Sequence, residues 1–486
     1  MNCSNHKIRL IIPCCGEGKR FVDAGYNIYK PALPFLGKPL LHHIIDAFGQ
    51  QCAITVITDH AHYSIVSELC MPYPDAEIIC IAGHKNGAAY SLLQAAHKLR
   101  QHQACFVAYN DVFWKWDIAR VLQFIDENRP DGVVFTHTGF HPHIVGNNFS
   151  AFVKTDGNSM LAIQEKGSFT NNFIDEPVST GVYYFGNTGL MLSLAEEMVN
   201  NNERVAGEFY PSMLFNKLVA MQQKVMVYES KPFVHLGTPE QYEDALSWQG
   251  ILGMQNTGHD VASLIMMCGT GSRMQYVSDT NKAGIELQGT TMWKFVANKM
   301  ACNNVVALVN QHTSHFIDDA TRVIDIGTQT ASQTESLQKA IPFLNNFAEL
   351  LVLSNDCYGF FDPSILKHGA NNRVTVFGFM PRLMHRKQGN AHTGISANNA
   401  VLTEISIKSI KNSQMGFAGM VYFRDMDVLR EILNIDSKLN PSIDHFIKHL
   451  LSNNYEIHCV LLKEYVHLGT PEEYREYVFW SEFYHA

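Results

Sequence analysis

Long hydrophobic runs are missing from this chain of 486 residues. No apolar stretch approaches the roughly 18 residues a membrane-spanning helix needs, which argues against a helical span. Positive charge is also scarce. Lys and Arg total 37 against 46 Asp and Glu, a formal net charge of -9 with a pI near 6.2. A nucleic-acid or anionic-membrane footprint needs a basic surface, so neither partner is expected, although a local basic pocket stays open. Low-complexity tracts are absent. A composition of 46% hydrophobic and 17% charged residues suits a globular chain of two to four domains.

The 11 cysteines are odd in number and form no C-x-x-C pair. Cys14, Cys15 and Cys105 sit in apolar strand-like runs and read as small core residues of a reducing compartment. The opening "MNCSNHKIRLII" is too short and too polar for a signal peptide, so a cytoplasmic chain is expected. The densest group of the 23 histidines is "THTGFHPH", with His137, His141 and His143. No cysteine or carboxylate lies beside it, so it reads as structural and not as a metal site.

What is present is a unit written twice. "FVHLGTPEQYEDALSW", from Phe233 to Trp248, returns as "YVHLGTPEEYREYVFW", from Tyr465 to Trp480. Earlier landmarks pair in the same order: "CCGEGKRF" with "MCGTGSRM", "AYNDVF" with "LSNDCY", and "STGVYYF" with "FAGMVYF". These set the expected domains at 1–249 and 261–486. The glycine-rich, aperiodic "GILGMQNTGHD", residues 250–260, is the expected linker. The two copies are expected to be able to pack as an internal pseudo-dimer. Within each copy, β-rich apolar runs such as "KIRLIIP", "CAITVIT" and "ACFVAYN" alternate with amphipathic stretches such as "PLLHHIIDAFG". That alternation predicts an α/β fold with a mainly parallel sheet covered on both faces, and ligands at the carboxyl ends of the strands.

The chemistry gathers at "IIPCCGEGKRF", the end of the first predicted strand. A dinucleotide-binding loop needs a third glycine, and Phe21 stands there; no carboxylate appears between Phe35 and Leu41. A P-loop needs G-K-[ST], and that is missing after Gly16. The remaining reading is a turn in which Gly16, Glu17 and Gly18 leave backbone N–H groups facing polyphosphate oxygens. Arg20 adds a fork of donors, and Lys30 stands in a loop stiffened by Pro31 and Pro34. This layout suits gripping a triphosphate during attack at the α-phosphorus.

"GEGKRF…GYNIYKPALPFLGKPLL" resembles the signature of the sugar-phosphate nucleotidyltransferases, the NDP-sugar pyrophosphorylase-like family. Its usual form is G-x-G-x-R followed by P-K-P-L and G-K-P-L. The long "AGY" insertion resembles the heptose- and capsule-type branch, whose products serve surface polysaccharides. The resemblance runs over both copies and is close in the first. It implies two tandem three-layer α/β/α Rossmann-like nucleotidyltransferase domains. It also implies Mg²⁺-dependent joining of an NTP to a sugar 1-phosphate, or an alcohol phosphate, with release of pyrophosphate. Carried over by position, Arg20, Lys30 and Asp111 are catalytic, and Asp111 holds the metal. Gly16, Glu17, Gly18 and Gly87 bind nucleotide; Glu165, Lys166 and Gly181 bind the sugar phosphate. In the second copy Gly269, Gly271, Arg273, Lys282 and Asp356 are the equivalents.

The pattern also departs from the family. The usual second metal aspartate is replaced by His235, and by His467 in the second copy. "GKPL" has become "GTTM", and the Glu-Lys pair aligns with Glu404-Ile405, which removes a cation. The second copy is therefore expected to bind nucleotide weakly or to be structural. Two other classes stay open: a nucleotide-sugar-dependent glycosyltransferase, and a nucleotide sensor without turnover. Glycosyltransferases of that kind generally want Asp-x-Asp, and "YNDVF" has one aspartate.

Overall fold

A computed structural model describes residues 7–99, 104–145, 150–366, 372–410 and 414–485. The chain divides into two compact units, the first running through Ser247 and the second from Trp248 to Tyr484. The boundary lies inside the helix Pro239–Gly253, so helix occupies positions 250–253 of the segment expected as a linker. Positions 254–258 that follow have neither helix nor strand.

In the first unit, strands β1 (Ile8–Cys14), β2 (Cys52–Asp59), β3 (Glu77–Ile81) and β4 (Cys105–Ala108) lie side by side and parallel in the order β3-β2-β1-β4. Val112–Trp114 (β5) follows as a short separate strand. The sheet continues with β6 (Gly132–His137), β7 (Phe152–Asp156), β8 (Ser159–Gln164), β9 (Val178–Phe185) and β10 (Val225–Glu229). Its full order is β3-β2-β1-β4-β9-β6-β10-β8-β7. From β9 onward the pairings are antiparallel, apart from parallel β6–β10. The sheet is thus mixed, and the mainly parallel sheet expected from the sequence holds only for its first half. One of these pairings is local: β7 and β8 are joined by the tight turn at Gly157, a hairpin that can only run antiparallel, whereas the others join strands distant in sequence.

Both faces of this sheet are covered. Along β1, Ile11 packs into one core with Leu92, Met191, Ala195 and Leu214, from helices on one side. Leu10, Ile12 and Cys14 pack into the other core with Leu41, Ile44, Phe48, Val66 and Val121. Alternate side chains of one strand serving two cores are what a three-layer fold requires. Pro13 lacks an N–H donor, and the pairing of β1 with β4 stops before it, at Ile11 with Val107. The β1–β4 ladder therefore ends short of Pro13, while β1 stays paired with β2 through Cys14.

The second unit repeats this plan. After β11 (Phe233–His235), its strands are β12 (Ser263–Met266), β13 (Val305–Val309), β14 (Arg322–Asp325), β15 (Leu350–Ser354), β16 (Cys357–Phe360), β17 (Val374–Phe379), β18 (Gly394–Asn398), β19 (Val401–Ser406), β20 (Met415–Phe423), β21 (His458–Leu461) and β22 (Glu464–His467). The order β14-β13-β12-β15-β20-β17-β21-β19-β18 matches the first sheet strand for strand, with the same directions. Cys14, Cys15, Cys105, Cys268 and Cys357 are buried free thiols, and burial raises each of them. Among the described residues no helix is long and apolar enough to cross a membrane.

Candidate active site

β1 delivers the glycine loop to the open end of the sheet. Gly18 adopts φ +60°, a left-handed conformation that starts the short helix Lys19–Asp23. Glycine suits it because other residues are strained there. A Cβ on Gly18 would touch Lys30 Cβ at 3.5 Å, whereas one on Gly16 would meet open space. Arg20 is exposed, and its charge acts on the Tyr210 phenol. Glu17 pairs with Lys85 at 3.2 Å.

Lys30 Nζ donates to Asp111 Oδ2 at 2.7 Å, with both side chains partly exposed. Asp111 follows β4, and Asn110 Nδ2 fixes that corner by donating to the Pro13 carbonyl at 3.0 Å. β5 then pairs antiparallel with β11, which sets His235 opposite Val112. The Leu236 N–H donates to the Asp111 carbonyl at 2.7 Å. A Cβ on Gly237 would stand 3.1 Å from Asp111 Oδ2, so the repeated "HLGT" brings backbone against this carboxylate. Burial alone would raise Asp111, but the Lys30 charge and hydrogen bond, helped by His235, hold its carboxyl below the usual range. Burial brings the His235 imidazole down to about 4 against the pull of Asp111, leaving it neutral at pH 7.

The other expected residues lie on two sides of this pair. Gly87 has φ +87°, and a Cβ there would stand 2.7 Å from the Phe209 carbonyl oxygen. Glu165 and Lys166 follow β8. Ser212 Oγ donates to Glu165 Oε2 at 2.5 Å, and Lys166 Nζ lies 5.0 Å from the centre of the Tyr210 ring. Burial pushes Glu165 up to about 7, with Ser212 and Lys166 pulling the other way. Gly181 has φ +77°, and a Cβ there would meet the Tyr109 ring at 2.8 Å. Ser212, Tyr210 and Tyr109 escaped the sequence reading. For Ser212 there was a signal, since its "YPSML" recurs as "NPSID".

The histidine group has a carboxylate after all, supplied from far along the chain. His143 Nε2 lies 3.1 Å from Asp244 Oδ2, with both side chains almost fully buried, and His143 Nδ1 faces the His235 carbonyl at 3.0 Å. Burial lowers His137 to about 4 and takes His141 well below its ordinary value.

In the second unit the core geometry recurs. Gly271 has φ +67°, and Lys282 Nζ meets Asp356 Oδ2 at 2.6 Å. His467 Nε2 stands 3.7 Å from that oxygen, and its Nδ1 bonds Glu473. Burial opposes the charge on His467, but Glu473 and Asp356 outweigh it and raise the imidazole. Lys282 and His467 likewise hold Asp356 below the carboxylate range against its burial. Glu473 also accepts from His392 at 2.6 Å, and His385 Nε2 lies 3.8 Å away. These buried side chains, His385, His392 and Glu473, converge closely enough to hold a metal ion. However, His385 Nδ1 accepts the Arg382 N–H at 3.2 Å, which leaves the ring proton on Nε2. At 3.8 Å that nitrogen is beyond hydrogen-bond distance of Glu473, whose hydrogen bonds here come from His392 and His467. Lys38, the lysine of "GKPL" that the second copy lacks, pairs with Asp46 at 2.6 Å in an exposed position.

A glycine turn at the end of β1, a lysine–aspartate pair and a mixed sheet covered on both faces define a nucleotidyltransferase-type α/β domain. Residues 10–168, within the first unit, match the MobA-like NTP transferase domain. Over 231 residues the chain is 25% identical to the bifunctional protein GlmU of Brevibacillus brevis, covering 46% of this chain and 47% of GlmU. The chain thus spans about half the length of that curated relative. Among solved structures, a nucleoside-diphosphate-sugar pyrophosphorylase from Vibrio cholerae RC9 is 21% identical at a TM-score of 0.40, covering 48% of this chain and 98% of that one. The inositol-1-phosphate CTP transferase from T. maritima is 14% identical at a TM-score of 0.39, covering 48% and 91%.

Proposed function

We propose that the first unit transfers a nucleotidyl group from an NTP to a sugar 1-phosphate, giving an NDP-sugar and pyrophosphate. The observation that carries this reading is the Lys30–Asp111 pair at 2.7 Å, held beside the Gly16–Gly18 turn. The turn offers backbone donors to the β- and γ-phosphates, and Arg20 adds charge on the side facing Tyr210. Lys30 neutralises charge at the α-phosphorus. Glu165, seated by Ser212, receives acceptor hydroxyls, while Lys166 holds the acceptor phosphate. Such transfer is governed by alignment and charge neutralisation, and it asks for no protein nucleophile.

The donor set suits one Mg²⁺. The ion commonly takes one or two carboxylates plus substrate phosphates, and Asp111 supplies one carboxylate with backbone space beside it at Gly237. The neutral His235 is a poor partner for so hard a cation. Asp111 would hold the ion, whose chemistry is to neutralise the phosphate oxygens. The "AGY" insertion favours products for surface polysaccharide or capsule synthesis. The test is a screen of NTPs against sugar and alcohol phosphates that reads pyrophosphate. Release of NDP from a nucleotide sugar would point to a glycosyltransferase instead, and tight binding without turnover to a sensor.

A further inference from the structure

Strand register changes what the second unit contains. In the first hairpin Gln164 pairs with Phe152, after a bulge between Met160 and Ala162. In the second, Ser406 pairs with Gly394, and the irregularity falls at the same step, with Leu402 and Glu404 on its two sides. The residues two positions beyond are Lys166 and Lys408, and both take the left-handed conformation, at φ +55° and +47°. Lys408 is therefore the spatial counterpart of Lys166. Ile405, its counterpart by sequence alignment, is a core residue at 6% exposure, as Ile163 is at 4%. The cation expected to be lost is present.

The carboxylate has moved in a compensating way. Ile407 stands where Glu165 does, but the Pro-Ser step that brings Ser212 to Glu165 brings Ser442 to Asp444. Asp444 lies in the first turn of the helix Ile443–Ser452. Ser442 Oγ also contacts His445 Nδ1 at 2.6 Å. The other Asp444 oxygen accepts from Thr393 Oγ1, which in turn accepts the Lys408 N–H at 3.1 Å. One serine, one carboxylate and one lysine at a left-handed turn thus occur in each unit. In each they accompany a glycine turn, a lysine–aspartate pair and a positive-φ glycine on the central strand, Gly181 at +77° and Gly419 at +68°. The nucleotide side differs. Ser332, with its hydroxyl capping Glu335 N at 3.0 Å, begins the helix Gln333–Ala340, whereas Gly87 begins the helix Ala88–Gln94.

We propose that the second unit is a second nucleotidyl-transfer site with its own acceptor pocket. Lys408 holds the phosphate of a phosphorylated, hydroxylated acceptor, and Asp444 receives its hydroxyls. The site rests on the reading of the first unit for its reaction type, and it takes a different nucleotide or acceptor. An acceptor phosphate oxygen forms a bond to the α-phosphorus of the NTP. The bond from that phosphorus to the α–β bridging oxygen breaks, and pyrophosphate leaves with the electron pair.

The test uses the full chain. Equilibrium dialysis with Mg²⁺ and each of ATP, CTP, GTP, UTP and dTTP is expected to find two nucleotide equivalents per chain. Lys30→Ala removes one of them and Lys282→Ala the other. In the Lys30→Ala background, pyrophosphate release across the acceptor panel persists, and adding Lys408→Ala lowers it at least tenfold. Lys408 is exposed, so this substitution leaves folding intact, and Lys408→Arg restores part of the rate. A single equivalent that is lost in Lys30→Ala and untouched by Lys282→Ala overturns the proposal. An equivalent lost in Lys282→Ala, with turnover unaffected by Lys30→Ala, supports the second site and refutes the reading of the first.

Discussion

Lys30 and Asp111 meet at 2.7 Å across 81 positions of sequence, and Lys282 and Asp356 meet at 2.6 Å across 74. In both units the lysine comes from the loop after the glycine turn and the aspartate from the end of the strand beside β1 or β12. The pair keeps the carboxylate ionised, and in the proposed reading the ammonium faces the triphosphate. We predict that Lys30→Ala lowers kcat for first-unit turnover by about 10²–10³-fold, the scale of removing one preorganised charge-stabilising donor. Asp111→Asn should raise the Mg²⁺ concentration needed for half-maximal rate. Pyrophosphate release titrated against Mg²⁺ in a Lys282→Ala background, which silences the second unit, checks both, and an undiminished rate on adding Lys30→Ala there would sink the assignment.

The glycines separate ligand space from backbone need. Gly87→Ala forces a Cβ to 2.7 Å from a carbonyl oxygen at φ +87°, so it should cost about 1–3 kcal/mol in urea unfolding. Gly16 meets nothing within 4 Å and has no such conformation. Gly16→Ala should therefore stay within about 0.5 kcal/mol of wild type, while NTP affinity falls about tenfold. Unchanged affinity would remove Gly16 from the phosphate site.

Glu165 carries a pH signature. Its folded pKa of about 7 lies above the ordinary carboxylate value, so the folded state holds its proton longer than the unfolded chain does. Its contribution to stability is fully present below about pH 4.5. It falls as pH rises toward 7, with a slope of at most about 1.4 kcal/mol per pH unit, and is constant above that. Denaturation midpoints of wild type and Glu165→Gln across pH 4–8 should converge at the acid end and separate at neutral pH, the variant being the more stable. Parallel profiles would contradict the raised value.

His143 and Asp244 form a pair whose side chains are 0% and 2% exposed. Removing either side chain takes this one contact away from the other at a buried position. His143→Ala and Asp244→Ala should each cost about 3 kcal/mol, and the double variant clearly less than their sum. Additive losses in a double-mutant cycle would show that the two side chains act independently.

Much of this was legible before any coordinates. β1, β2 and β4 are mostly buried and read as largely apolar runs, and the "HLGTPE" repeat announced two similar units. What escaped were relationships set by register and by long-range pairing. The antiparallel half of the sheet depends on one hairpin and on long-range pairings whose direction a strand's composition does not encode. Lys408 was hidden because alignment favoured the Glu of "TEI" over the position two residues past the strand, where the left-handed turn decides. Asp444 stayed invisible for the same reason: its partner serine is recognisable, but the carboxylate had changed elements. Asp244 lies 101 positions from His143, too far for the histidine cluster to reveal it.

The hydrogen bond from Leu236 N–H to the carbonyl of Asp111 has a mechanical meaning. Asp111 is stapled by its own backbone to the segment that leads into the helix beginning at Pro239. A shift of the Asp111 backbone would thereby be passed directly to the root of that helix. The corresponding bond from Leu468 N–H to the Asp356 carbonyl, at 2.6 Å, gives the other unit the same lever.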